Sequence, residues 1–254
     1  MKVHTLFWIS VISLFVSTIC ASEWKKKCEE EWGLQGAPMP DSLDWESVYE
    51  ARPLGRNLLK NPSPHGLSKD NPPPNPNSRK AQTREFSRRK PTGNFNGWNT
   101  STESLPVDRS GFPPGAVVCG FMRYVWFSLE QVVDLKAEGL WDELLDEFQP
   151  EIVIQDWYEE SKVAEHIYEL HVTLLSENMT VISEHSVQPT EDRSSSSYTW
   201  KEVSHVFSGY GSGLRYVRFQ HRLKNKFGDG IMRGFYQTMF CDSSVIVKPT
   251  KSSS

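Results

Sequence analysis

Histidines and carboxylates are the residues of this sequence whose side chains could transfer protons or bind a metal ion. The histidines lie on different predicted strands or turns, without the HExxH or paired-cysteine spacing that zinc sites use. Each is therefore expected to be a surface or cross-strand residue rather than a metal ligand. The histidines concerned are His166, His171, His185, His205 and His221.

The carboxylates are densest on a predicted helix, on the face opposite a stripe of large apolar side chains. A solvated helix face explains this pattern better than general acid–base work. The sequence also lacks a nucleophile elbow, a P-loop and a dinucleotide-binding fingerprint. We therefore expect no catalytic residue, no cofactor, no metal and no enzyme activity, although distant residues can still assemble a site in space. The carboxylates are Glu138, Asp142, Glu143 and Asp146.

The elements that would position any site are centred on residues 131–158. Between residues 137 and 146 the apolar side chains repeat with the period of an α-helix, which predicts a short amphipathic helix. Pro150 ends this helix, and residues 152–154 follow as a buried strand. Both elements need a sheet on which to pack.

Short strands separated by polar turns supply that sheet. Residues 167–175 alternate between apolar and polar side chains, as expected of an antiparallel strand with one buried face. Many short strands with one helix predict a mostly β fold, an antiparallel β-sandwich. Further strands are predicted at 117–121, 124–127, 181–182, 198–207, 214–219, 235–240 and 244–247, with a glycine-dependent tight turn at 210–213.

The N-terminus carries an apolar run over residues 6–20, preceded by a basic residue and followed by small ones. Residues 1–21 are therefore predicted to be a signal-peptide-like segment, too short for a membrane span, and the only part suited to membrane association. An uncleaved apolar helix is the alternative. Asn99 and Asn178 begin N-glycosylation acceptor tripeptides. The four cysteines, of which cleavage would leave three, do not form a disulfide framework, which favours a reducing compartment.

The region between this run and the predicted sandwich divides into two parts. Residues 22–61 are charged and partly helical, and Leu54, Leu58 and Leu59 are expected to anchor them to the main domain. Residues 62–92 form a Pro-rich basic linker, in which residues 73–76 satisfy a PxxP docking pattern but a disordered spacer is the simpler interpretation. A net charge of −4 and the scarcity of aromatic residues in the linker predict no nucleic-acid partner.

Long segments of the chain carry a resemblance to a known family. They are RNLLKNP at 56–62, QVVDLKAEGLWDELLD at 131–146, QPEIVIQDWY at 149–158, YELHVTLLSE at 168–177, WKEVSHVFSGYGSGLRYVRFQH at 200–221 and DSSVIV at 242–247. These segments resemble the F-box-associated domain of glycoprotein-recognising F-box proteins. The resemblance implies a galactose-binding-like sandwich over residues 93–248, followed by a tail at 249–254. In lectin members this domain holds the inner chitobiose of N-glycans, and an N-terminal F-box joins it to a ubiquitin ligase.

The chain departs from this family pattern at two points. Within residues 22–61, only residues 24–28 resemble an F-box, and they match only its end, so ubiquitin-ligase components are weakly supported as partners. The Tyr-Trp-Lys triplet that holds the glycan in lectin members falls here on residues 231–233. Met232 cannot stack on a sugar as a tryptophan does, while Arg233 keeps a donor and a charge. Weak or absent chitobiose binding is therefore expected. Residues 226–230 are longer than the matching segment of the relatives, and if the alignment shifts there, Phe227 or Phe235 supplies a ring instead. The candidate ligand-binding residues are therefore Phe227, Met232, Arg233 and Phe235.

Two functions follow from the resemblance. The first is a non-catalytic module that binds a protein or N-glycoprotein, as a substrate-recognition adaptor in ubiquitin-linked degradation, in the cytoplasm. The second rests on NPSPHGLSKDNPPP at 61–74 and PTGNFNGW at 91–98, which resemble receptors of fish nonspecific cytotoxic cells within the family. That second function is a secreted or plasma-membrane recognition protein of innate immunity, and residues 1–21 favour it.

Overall fold

The architecture is taken from a computed structural model, which describes residues 22–74, 93–104, 124–159, 168–189, 199–227 and 235–249. Helix α1 covers residues 22–32, helix α2 covers Trp45–Ala51, and a π-helical turn covers Leu144–Phe148. The strands are β1 Asn99–Ser104, β2 Tyr124–Asp134, β3 Glu151–Glu159, β4 Tyr168–Ser176, β5 Val181–Val187, β6 Trp200–Phe207, β7 Leu214–Phe227, β8 Phe235–Gln237 and β9 Phe240–Lys248.

The described strands form two antiparallel sheets. The larger sheet has the order β1-β2-β7-β4-β5, with β8 paired to the end of β7, and the smaller sheet has the order β6-β3-β9. The chain passes repeatedly between the two sheets, the last time from β8 to β9. The predicted fold class, a mostly β antiparallel sandwich, is confirmed. The strand predicted at 117–121 lies outside the described residues.

Alternating side chains of facing strands fill the space between the sheets. In β4, the side chains of Tyr168, Leu170, Val172 and Leu174 are buried while the residues between them are half-buried, as the sequence predicts. Strand β3 alternates in the same way from Ile152 onwards. Because successive side chains point to opposite faces of a strand, this pattern places one apolar face of each sheet in the core.

The helix predicted at 137–146 is shorter and begins later in the structure. Residues 135–139 form a turn, and helical geometry covers only residues 142–148 before Gln149 adopts a left-handed conformation at φ 54°. Gly139 has φ +101°, a conformation that an α-helix does not contain, so the helix begins only after this residue. The end of α2 packs closely here, since a Cβ on Gly139 would lie 2.9 Å from the Cβ of Ala51. The apolar stripe is nevertheless buried; it consists of Leu140, Trp141, Leu144 and Leu145.

The N-terminal segment packs on the sandwich through aromatic rings and an added strand-like contact. The rings of Trp45 and Trp141 meet edge to face at 5.1 Å, and the Trp141 indole donates to the Pro38 carbonyl at 2.7 Å. Asn57 forms an antiparallel bridge with Ile246 at the edge of β9. The leucines expected to anchor this segment, which are Leu54, Leu58 and Leu59, are buried.

The first part of the predicted linker also packs on the sandwich. The carboxylate of Asp242 accepts hydrogen bonds from the hydroxyls of Ser63 and Ser68 at 3.1 and 3.2 Å, and from the backbone N–H of Lys69 at 2.7 Å. Residues 62–74 are therefore a fixed strap rather than a free spacer, and residues 75–92 lie outside the described residues. No helix within the described parts of the chain is long and apolar enough to cross a membrane, and residues 1–21 are not among them.

Candidate recognition site

One end of the sandwich gathers strand ends from both sheets, and we call it the distal end. There β3 ends at Glu159, β4 begins at Tyr168, β6 begins at Trp200, β7 ends at Phe227 and β8 begins at Phe235. The two sheets meet at this end through the stacked rings of Tyr158 and Tyr168, whose centroids are 4.5 Å apart. Two of the candidate ligand-binding residues of the sequence, Phe227 and Phe235, lie at this end.

Two of the candidate residues are paired in the backbone of the distal end. Phe227 lies directly opposite Phe235 in the register of β7 and β8, which are paired only over the last residues of β7. Met232 and Arg233 lie outside the described residues, between these two strands.

The two N-glycosylation candidates are separated in the structure. Asn99 is the first residue of β1 and pairs with Glu130. Asn178 lies in the turn between β4 and β5, at the end of the sandwich opposite the distal end, where the following residue Met179 has φ 61°. Both asparagines are exposed, so both are accessible to a modifying enzyme in the folded chain.

A polar cluster is buried directly beneath the distal end. The carboxylate of Asp156 on β3 accepts hydrogen bonds from the hydroxyl of Tyr168, from Nδ1 of His221 at 3.0 Å and from the hydroxyl of Ser243 at 2.7 Å. These side chains come from β4, β7 and β9, and all of them are fully buried. The backbone N–H of Trp157 adds a further bond to the carboxylate at 3.0 Å. The carboxylate is therefore satisfied entirely by protein donors.

Local backbone geometry turns Asp156 into the core. The register between β3 and β9 shifts between Gln155 and Trp157, and Asp242 on β9 has φ 52°. Such an irregularity bends a strand and redirects one side chain. It lets Asp156 and Ser243 point at each other between the sheets.

This cluster contains an aspartate, a histidine and a serine but lacks the geometry of a catalytic triad. The Ser243 hydroxyl donates to Asp156 rather than to His221, so no base is placed to activate it. The His221 ring is enclosed by Trp98 at 4.9 Å and Phe240 at 3.7 Å between ring centroids. A substrate cannot reach these atoms in the closed sandwich, so the cluster fixes the strands that carry the distal end.

Burial also sets the protonation state of the cluster's phenol. It raises the pKa of Tyr168 well above its ordinary value, and the neighbouring Asp156 charge raises that pKa further. Tyr168 is therefore a neutral hydrogen-bond donor across the physiological pH range.

The outer face of the larger sheet carries a charged cluster close to the distal end. The guanidinium of Arg222 forms ion pairs with Glu103 on β1 and Glu169 on β4, and it lies 4.7 Å from the centre of the Trp126 ring. These contacts link strands β1, β2, β7 and β4. Because Arg222 is satisfied by its neighbours, its main effect is to hold this face of the sheet together.

The prediction that the histidines are surface or cross-strand residues fits His171, His185 and His205, but it is wrong for His221. His171 is exposed and hydrogen-bonds Ser186, and His185 on β5 stacks on His205 on β6, which joins the two sheets at an edge. His221 is instead fully buried in the polar cluster. His166 lies outside the described residues. Within the described parts of the chain no three metal-binding side chains come close enough to hold an ion.

Sequence reasoning missed the pair at the centre of this cluster, although a signal for it was present. Asp156 occupies the inward position of β3 that follows Ile152 and Ile154, and His221 occupies the inward position of β7 that follows Val217 and Phe219. A charged or titratable residue at an inward position of an otherwise apolar alternation indicates a buried polar contact. The partners themselves could not be read from the sequence, because they lie on other strands.

The fold and the buried polar cluster define an antiparallel β-sandwich domain in which strand ends from both sheets meet at one end. The sequence profile described as "F-box associated region" matches residues 49–247. The chain belongs to this F-box-associated family.

Named relatives support this assignment. F-box only protein 50 of Danio rerio is 53% identical over 238 residues, which are 92% of this chain and 99% of the relative. F-box only protein 50 of Homo sapiens is 39% identical, covering 86% of this chain and 72% of its own length. F-box only protein 6 of Homo sapiens is 33% identical, covering 89% and 70%.

Proposed function

We propose that this chain is a non-catalytic recognition module that binds protein or N-glycoprotein ligands at its distal end. Its role within the family would be that of a substrate-recognition adaptor in ubiquitin-linked degradation. The observation that carries the proposal is the convergence of strand ends from both sheets at that end, in a chain of the F-box-associated family. Loops presented by a rigid sandwich are a common arrangement for binding.

The buried cluster supports this proposal because it stiffens the base of the distal end. Asp156 connects β3 to the first residue of β4, to β7 and to β9, close to the points where these strands meet their loops. Binding residues carried by such a base lose less conformational entropy when a ligand binds. Phe227 and Phe235, opposite each other at the base of one such loop, are suitable positions for a contact.

The nature of the ligand follows from the residues that stand in the family's glycan-binding positions. Met232 and Arg233 offer an apolar chain and a cation rather than a flat ring, so a protein surface with an accessible carboxylate fits them better than a sugar face. We therefore propose that the polypeptide of a glycoprotein, more than its chitobiose, is recognised.

The test is co-purification from a cell extract, before and after enzymatic removal of N-glycans, with a distal-end variant and a control variant. The distal-end variant is Phe227→Ala with Arg233→Ala, and the control is Val132→Ala, an exposed residue on the outer face of the larger sheet. We expect a defined set of proteins to be retained after deglycosylation and lost with the distal-end variant only. Equal retention of these proteins by both variants would show that the distal end is not the binding site.

Detection of ubiquitin-ligase scaffold subunits in the same samples tests the adaptor role.

A second candidate function is favoured by residues 1–21 and by the two exposed acceptor asparagines. In that proposal the chain is a secreted or cell-surface recognition protein of innate immunity, whereas the adaptor proposal places it in the cytoplasm. N-terminal sequencing of the protein from cells, together with fractionation and endoglycosidase digestion, separates the two. An intact N-terminus and unmodified Asn99 and Asn178 support the adaptor, while a cleaved N-terminus and glycans on these residues support the receptor.

A further inference from the structure

A tryptophan on the smaller sheet binds the chain's own proline-rich segment. The indole N–H of Trp200, the first residue of β6, donates a hydrogen bond of 2.7 Å to the backbone carbonyl of Asn71. Asn71 directly precedes Pro72, Pro73 and Pro74, of which the first is exposed, the second buried and the third half-buried. The contact thus joins an aromatic donor to the start of a triple-proline sequence.

Consecutive prolines have the physical properties that suit such a contact. Each proline fixes its own φ and lacks an N–H, so a run of them favours an extended polyproline II helix whose carbonyls are left free to accept. Proteins that recognise this helix use aromatic-lined grooves, and the peptide loses little conformational entropy because it is already extended. Trp200 meets this requirement, since it supplies both a ring and a donor.

Neighbouring residues extend the surface around Trp200. Successive residues of a strand point to opposite faces, so Trp200 and Glu202 share one face of β6, and Glu202 lies opposite Trp157 on β3. The ammonium of Lys69 lies 5.1 Å from the centre of the Trp157 ring, and the Gln155 amide donates to Glu202 at 2.6 Å. The surface therefore combines two aromatic side chains with polar groups that can accept and donate.

The strap is attached at a second point, which is independent of Trp200. Asp242 binds Ser63, Ser68 and Lys69, as described above, and its backbone N–H donates to the Ser63 hydroxyl at 2.9 Å. The contact at Asn71 is therefore a separate attachment. It can open while the strap stays fixed at Asp242.

We propose that the face of the smaller sheet around Trp200 and Trp157 is a binding surface for proline-rich peptides, which the chain's own residues 71–74 occupy. A proline-rich segment of another protein would compete with these residues for Trp200. While they are bound, the PxxP pattern at 73–76 has its first residue buried against the domain. Trp200 begins β6 at the distal end, but this surface consists of outward-facing residues of the smaller sheet and does not include Phe227 or Phe235, so the inference does not depend on the proposed function.

The experiment uses a synthetic peptide with the sequence of residues 69–78, added to the ¹⁵N-labelled chain. In the triple-alanine variant, Pro72, Pro73 and Pro74 are each replaced by alanine. We expect the peptide to shift the indole N–H resonance of Trp200. It should bind this variant about tenfold more tightly than the wild type, in which the attached proline segment competes at high effective concentration. Trp200→Phe in the triple-alanine chain should weaken binding about fivefold, the effect of one hydrogen bond. Trp32→Phe, at a distant tryptophan of α1, is the matched control.

Three outcomes would overturn the proposal. The Trp200 resonance of a folded triple-alanine variant does not shift when the peptide is added. The peptide binds equally well after Trp200→Phe, or a peptide with alanines in place of its prolines binds equally well.

If the triple-alanine variant does not fold, hydrogen exchange of the otherwise unaltered chain decides. Trp200→Phe should then speed exchange at the Asp70 and Asn71 amides, and unchanged exchange there would reject the contact. Distal-end binding by a chain with Phe227→Ala is measured separately, so failure of one proposal leaves the other testable.

Discussion

The hydroxyl of Tyr168 donates a hydrogen bond to the carboxylate of Asp156, and both side chains are fully buried. The bond joins β3 of the smaller sheet to β4 of the larger one, at the end where the sheets present their loops. A buried carboxylate is costly unless protein groups replace the hydrogen bonds that it made with water. Here His221 and Ser243 complete that replacement, so the cluster depends on all of its members.

Replacing Tyr168 by phenylalanine should lower the free energy of unfolding by about 2 kcal/mol, because a hydrogen bond to a charged acceptor is lost while the ring is kept. The raised pKa of Tyr168 means that the unfolded chain releases this proton first, near pH ~10, so the wild type should lose stability as pH rises further. The variant should show a smaller loss, to which the buried thiols and Tyr210 still contribute, because burial raises their pKa values too. Urea unfolding at neutral and alkaline pH measures both effects. Tyr216→Phe, on the same sheet but outside the cluster, is the control, and equal midpoints for Tyr168→Phe and wild type would contradict the prediction.

Replacing Asp146 by asparagine should cost about 1 kcal/mol at neutral pH. Its carboxylate receives two bonds of 2.9 Å from Arg215 and one of 2.7 Å from the Gly213 N–H, which tie the π-helical turn to β7. The Arg215 hydrogen bond lowers the pKa of Asp146, so this stability is present above the ordinary pKa of about 4 and is lost as pH falls through the folded-state value. The two proteins should therefore converge in acid, as followed by thermal unfolding.

The control for the contact between Asp146 and Arg215 is Lys136→Gln, which breaks the exposed ion pair between Lys136 and Asp142. An exposed pair contributes little, so its loss should cost less than about 0.5 kcal/mol. A larger loss of stability for Lys136→Gln than for Asp146→Asn would contradict the prediction.

Acid should weaken the edge where His185 and His205 stack at 3.9 Å between ring centroids. Burial, and then the nearby His205, lowers the pKa of His185. The stability that depends on its neutral form is therefore present above the unfolded pKa of about 6.5 and falls as pH drops below it. His185→Phe keeps a flat ring and should reduce the loss of stability between neutral pH and pH ~5.5 by about 0.5 kcal/mol. His171→Gln, at an exposed histidine, should leave the loss unchanged, and a melting series at both pH values compares them.

The thiols of Cys28 and Cys241 should resist alkylation until the chain unfolds. Both are buried and free. Burial raises the pKa of Cys28 to about 11 and that of Cys241 further, so little thiolate exists at mildly alkaline pH. In a chain with Cys20→Ser and Cys119→Ser, labelling in buffer should be roughly a hundredfold slower than in denaturant. Rapid labelling of the native chain, located by mass spectrometry, would show that one of these sites opens.

We predict that chitobiose binds weakly or not at all, because the sequence resemblance aligns Met232 and Arg233 with the family's glycan-holding triplet. A methionine does not present the planar surface on which the apolar face of a sugar stacks. A glycan array read at millimolar sensitivity is the measurement. Clear chitobiose-dependent binding that Met232→Ala or Arg233→Ala abolishes would refute the prediction, and Asn178→Gln, at the end of the sandwich opposite Phe227 and Phe235, serves as a control.

Residues 62–74 show how far composition can mislead about structure. Their prolines and lack of apolar side chains predict a spacer, because nothing in the segment needs burial. The strap is instead held by hydrogen bonds to Asp242 and Trp200, which lie far away in sequence. Local composition does not report such partners, so only the folded chain shows that this segment has a fixed place.

The sequence by itself determined the alternation of β4, the burial of the Trp141 stripe and, through long matching segments, the family and its sandwich. Those features depend on periodicity and on local residue types, which a linear chain displays directly. The tertiary structure decided that Asp156 meets His221 and that Trp200 holds Asn71. Each of those contacts joins strands or loops that are far apart in sequence, and the contact at Asp156 also depends on the register shift between β3 and β9. Such relationships arise only when the two sheets close on each other.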